Sequence, residues 1–75
     1  MKYEIEVTVL KKIRLENGYT QARIAEMLGV TKQSLWCWEN QKVFPNRSTQ
    51  LLVHFEFLRR GWIEDSVTPS QIFEM

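Results

Sequence analysis

Two threonines, Thr20 and Thr31, each stand immediately before a short stretch of helical spacing, and Gly29 lies between them. A threonine hydroxyl that accepts a backbone N–H of the following turn starts a helix, and a glycine in left-handed backbone ends one. The stretch 20–40 therefore reads as two helices of only two turns or so, joined by a glycine turn. Helices this short are marginal alone, so their apolar stripes must be buried against each other and against further elements. Those stripes are Ile24, Ala25 and Leu28 on the first helix and Leu35 and Trp38 on the second, with Gln21, Arg23 and Glu26 facing outward.

The flanking segments supply candidate partners. From residue 8 to 17 the spacing is helical, with Val9, Leu10 and Ile13 on one face and Lys11, Lys12 and Glu16 on the other. Gly18 follows where a left-handed cap belongs. After Pro45, either Asn46 or Ser48 can cap a fourth helix that runs to about Arg60 and is closed by Gly61. Its stretch 51–58 is apolar nearly all round, so one face fills the core and the other must also be covered. We expect Val53, Phe57 and Trp62 to form a dimer seam; the alternative is that they receive the N-terminal segment or the C-terminal tail. His54 on this helix is expected to be a satisfied core or interface residue. Thr68-Pro69-Ser70-Gln71 reads as a capping box with proline at the first helical position, opening a short turn through Ile72 and Phe73. At the other end Tyr3, Ile5, Val7 and Val9 alternate with polar residues, the period of a half-buried strand. Its partner would be the same strand of another copy, unless the segment simply leads into the first helix. The expected fold is thus mostly α, with four to five helices and a strand or arm over 2–7. It forms a single domain over 1–75 with its core at 8–60 and a tail at 62–75.

Composition narrows the function. A chain of 75 residues, 44% hydrophobic and 12% aromatic, is too short for a two-domain enzyme and too apolar for a disordered tail. One cysteine, Cys37, excludes an intramolecular disulfide and any zinc site built on cysteine pairs, so neither metal nor cofactor is expected. Cys37 and His54 lack a third orienting group. No paired carboxylates or phosphate-cradling glycine loop accompany them, and no enzyme is expected. No apolar run reaches membrane-spanning length and the start lacks a signal-peptide pattern, so the cytoplasm is the expected location. The net charge is only +1. It is unevenly placed: residues 10–50 hold seven basic against three acidic side chains, a net +4, between acidic flanks. That distribution suggests one face built for an anion.

Two short helices around a glycine turn project the start of the second helix at a width that fits a DNA major groove. The stretch resembles the helix-turn-helix of the lambda-repressor-like (Cro, XRE) family. The likeness covers residues 10 to about 58: Leu10-x-x-Ile13-Arg14, Thr20-Gln21, Ile24-Ala25, Leu28-Gly29-Val30-Thr31, Leu35-x-x-Trp38-Glu39 and Pro45. The resemblance implies that Gln21, with Thr20 before it, docks on phosphate at a helix N-terminus. It puts the base-reading positions at Lys32, Gln33 and Cys37, with Thr31, Ser34 and Trp36 beside them, and the backbone grip at Asn40, Lys42 and Arg47. It also implies a structural pair between Arg14 and Glu39. Gln41 departs from the pattern, which has glycine there, and puts the path of that loop in question. Part of the stretch, residues 24–47, is also similar to the MerR and excisionase type of winged helix. The helix before residue 20 and the absence of a wing-like strand pair after Pro45 favour the repressor-like family.

The resemblance implies a sequence-specific, double-stranded-DNA-binding transcriptional regulator. The expected type is a small dimeric repressor of the phage or mobile-element kind, autoregulatory and without a sensor domain. The alternative is an antitoxin-like or adaptor module that grips a protein partner through the apolar fourth helix.

Overall fold

The computed structural model describes residues 7–75, and among them it contains four α-helices and a 3₁₀ turn and no strand. The expected strand over 2–7 lies outside the described residues but for Val7. Val9, the last member of that alternation, is the first residue of a helix instead. The reason is local: the Thr8 hydroxyl accepts the Lys11 N–H and starts α1, Val9–Glu16, there. Thr20, Thr31 and Asn46 repeat the device at α2 (Gln21–Leu28), α3 (Lys32–Glu39) and α4 (Arg47–Arg59).

All four helices end alike. After α2 the Val30 N–H reaches back to the Ala25 carbonyl and the Gly29 N–H to that of Glu26, the paired bonds of a Schellman turn. Gly29 holds the left-handed backbone this requires, at φ +73°. Gly18 closes α1 and Gly61 closes α4 in the same conformation. After α3 the position falls to Gln41, which takes φ +57° while Lys42 bonds back to the Cys37 carbonyl. The chain thus keeps the tight turn without the glycine, and the side-chain amide of Gln41 donates to the Phe73 carbonyl at 3.4 Å.

The core is built from all these elements: Leu10 and Ile13 of α1, Ile24, Ala25 and Leu28 of α2, Leu35 and Trp38 of α3, Val53 and Phe57 of α4, and Ile72 and Phe73 of the 3₁₀ turn Ser70–Phe73. The capping box before that turn forms as expected, with the Thr68 N–H on Gln71 Oε1 at 2.9 Å and the Gln71 N–H on Thr68 Oγ1 at 3.4 Å. It delivers Ile72 and Phe73 into the core with no exposed surface, and the Phe73 ring meets Trp38 edge-on at 5.8 Å. The Val9 N–H bonds to the Glu74 carbonyl at 2.8 Å, so the tail is fastened to the start of α1. His54 is satisfied, its Nε2 donating to the Val67 carbonyl at 2.7 Å.

The dimer-seam expectation is corrected by this packing. Val53 and Phe57 have no accessible surface. Both sit in the protomer's own core with the tail's Ile72 and Phe73, and Trp62 is half-buried between Tyr19 and Phe57. The tail, not a second copy, accounts for that face of α4. The opposite face is bare: Leu51, Leu52 and Phe55 are 46%, 49% and 62% exposed.

Candidate nucleic-acid interface

The end of α3 is tied to α1 by a buried ion pair. Arg14 of α1 donates through Nε to Glu39 Oε2 at 2.6 Å and through Nη2 to Glu39 Oε1 at 3.1 Å, while its Nη1 donates to the Tyr19 carbonyl. A two-point guanidinium–carboxylate contact fixes orientation as well as distance. It ties the end of α3 to α1 and to the turn that leads into α2. Gln21 joins it, its Nε2 donating to Glu39 Oε1 at 3.1 Å. The Arg14–Glu39 pair is therefore structural, as the sequence suggested. The Gln21 amide belongs to the same network.

With Leu35, Trp38 and Glu39 buried, the opposite stripe of α3 is left open. Lys32, Gln33, Trp36 and Asn40 are exposed, and Cys37 is half-buried with a free thiol. Lys32, Gln33 and Trp36 line one open cavity of about 340 Å³. Three sequence-derived candidates are thus brought to a single recess, because residues three and four apart share a helix face. The threonine and serine candidates are engaged in the helix ends. Thr20 Oγ1 accepts the Arg23 N–H, and Thr31 Oγ1 accepts the Ser34 N–H and donates to Ser34 Oγ at 2.9 Å. The Asn40 amide donates to the Trp36 carbonyl at 2.8 Å. Exposed Lys42 lies in the turn after α3, and exposed Arg47 opens α4.

The charges divide by role. Arg14, Arg59 and Arg60 are in ion pairs, the last two with Glu56. Lys11, Lys12, Arg23, Lys32, Lys42 and Arg47 have no ion-pair partner among the described residues, so their charges are available to a ligand. Sequence reasoning missed the Gln21–Glu39 and Gln41–Phe73 bonds, which join residues 18 and 32 positions apart and leave no local signal.

No helix among the described residues is long and apolar enough to cross a membrane. A helix-turn-helix family model matches residues 10–43 of the chain. No curated protein and no solved structure matches it.

Proposed function

We propose that the chain, whose residues 10–43 match a helix-turn-helix family model, is a DNA-binding regulator of the lambda-repressor-like type and a sequence-specific repressor acting as a homodimer on a two-fold operator. The observation that carries the reading is the open recess on α3. Lys32 and Gln33 offer donors there at the start of a helix narrow enough for the major groove, Lys toward guanine O6/N7 and Gln toward adenine N6/N7. The start of α2 at Gln21, with Asn40, Lys42 and Arg47, holds the phosphates on either side. The phage or mobile-element type and autoregulation remain part of the proposal, resting on the resemblance alone.

The exposed face of α4 is the surface we assign to the dimer. An uncharged apolar stripe is complementary to itself, as a two-fold seam requires. Leu51, Leu52 and Phe55 supply one. Replacing Leu52 and Phe55 with Glu should turn a dimer into a folded monomer in sedimentation equilibrium. The same face is what favours the second reading, an adaptor that grips a different protein.

Binding of the purified chain to a randomised duplex pool tests the proposal. Enrichment of a two-fold sequence is expected. Against it, Gln33→Ala should lose about 1–3 kcal/mol and relax one base position, whereas Lys42→Ala should weaken all sequences alike. If no sequence is preferred over a scrambled duplex, the repressor reading fails and the adaptor reading takes its place.

A further inference from the structure

We propose that Trp36 reads the 5-methyl group of a pyrimidine in the major groove, which makes the protein selective for thymine or 5-methylcytosine at one position of each half-site. The inference rests on the DNA-binding reading of α3 and goes beyond it. Large apolar side chains are normally packed, and two of the three tryptophans are: Trp38 against Phe73, and Trp62 against Tyr19 and Phe57 with the Arg60 guanidinium 5.5 Å from its ring. Trp36 is 44% exposed and has no aromatic or cationic partner among the described residues. It also stands on the one stripe of α3 that the fold leaves open, four residues after Lys32 and three after Gln33, and the three line the same recess. That recess therefore combines hydrogen-bond donors with an indole.

The chemistry of the groove assigns each kind of side chain a target. Base edges there present nitrogen and oxygen acceptors, amino donors and, at the pyrimidine C5 position, an apolar group. Lys32 and Gln33 suit the polar edges. The face of an indole laid against an acceptor or amino group would strip its water and return nothing, its single donor, Nε1–H, lying at the ring edge, while against a C5 methyl both surfaces leave water. The backbone carbonyl of Trp36 accepts from the Asn40 amide, and Leu35, Trp38 and Glu39 are buried on the other side of α3, so the helix presents residue 36 outward. A tryptophan lying along sugar and phosphate would be indifferent to the methyl group, which makes the two placements separable.

The experiment uses the full chain and the duplex enriched from the randomised pool. Each thymine is replaced singly by deoxyuridine, which removes only the methyl, and at the responding position cytosine is compared with 5-methylcytosine. We expect one thymine per half-site to lose about fourfold in affinity on conversion to uracil, the size of one buried methyl group. A similar gain from cytosine to 5-methylcytosine would show that the methyl is read in either base; a gain confined to thymine over uracil would assign thymine as the target. In Trp36→Ala the thymine-to-uracil ratio should fall to about one, and Trp36→Phe should recover part of it. Equal binding of thymine and uracil duplexes at every position overturns the inference, as does a Trp36→Ala protein that keeps the full ratio. Either result leaves the DNA-binding reading standing, whereas a pool without any enriched sequence removes both.

Discussion

Glu39 does more than its position at the end of a short helix suggests. Its carboxylate accepts two bonds from Arg14 and one from Gln21, and it is buried, so the start of α2 and the end of α3 share one anchor. Removing it strands a buried guanidinium. Glu39→Ala should therefore lose about 3–5 kcal/mol of stability, read as a lower denaturation midpoint in urea. The pair itself was legible, because Arg14 and Glu39 stand at positions where the family pairs them. The role of Gln21 was not, since an exposed phosphate ligand and a network member look the same in sequence. Gln41 is the opposite case: its departure from glycine was visible and its consequence was not. Left-handed backbone disfavours a residue with a Cβ by about 1–2 kcal/mol. Gln41→Gly should relieve part of that and raise stability by about 0.5–1 kcal/mol in chemical denaturation. A loss instead would show that the amide bond to the Phe73 carbonyl outweighs the strain.

At the level of elements, legibility followed how local the cause is. Each α-helix start lies at a threonine or asparagine whose side chain bonds within the next turn, and each end lies at a left-handed residue. Both causes span a few residues, so a short window reveals them. The inner faces of α1, α2 and α3 were likewise readable from their spacing. α4 was not, because its apolar residues go nearly all the way round and no spacing singles out the buried side. Val53 and Phe57 proved to be the inner pair and Leu51, Leu52 and Phe55 the outer set, a choice made by where the tail returns. The 3₁₀ turn is thus an integral layer of the core. Phe73→Ala should lose about 3–5 kcal/mol, as expected for a fully buried aromatic, and the thermal midpoint measures it. If the change is instead neutral, the tail is an appendage and α4 is free to turn its inner face outward.

For the molecule as a whole, the separation of paired from unpaired cations sets how it meets a polyanion. Arg14, Arg59 and Arg60 are neutralised within the chain, whereas Lys32, Lys42 and Arg47, together with Lys11, Lys12 and Arg23, have no ion-pair partner among the described residues. With about 3–4 phosphates neutralised per protomer, the logarithm of affinity should fall against the logarithm of salt concentration with a slope of about −3 per protomer. Titrations between low and moderate salt check it, and a slope near zero would remove α3 and its neighbours as the contact face. The three tryptophans have one more consequence, which is optical. They sit at three depths: Trp38 in the core, Trp62 half-buried between Tyr19 and Phe57, and Trp36 on the open stripe of α3. The molecule therefore carries its own fluorimeter. Light emitted by Trp36 will dim or shift when a duplex covers α3 while Trp38 stays silent, and Trp38 will respond when the core opens, so occupancy and unfolding can be followed in one cuvette without a dye.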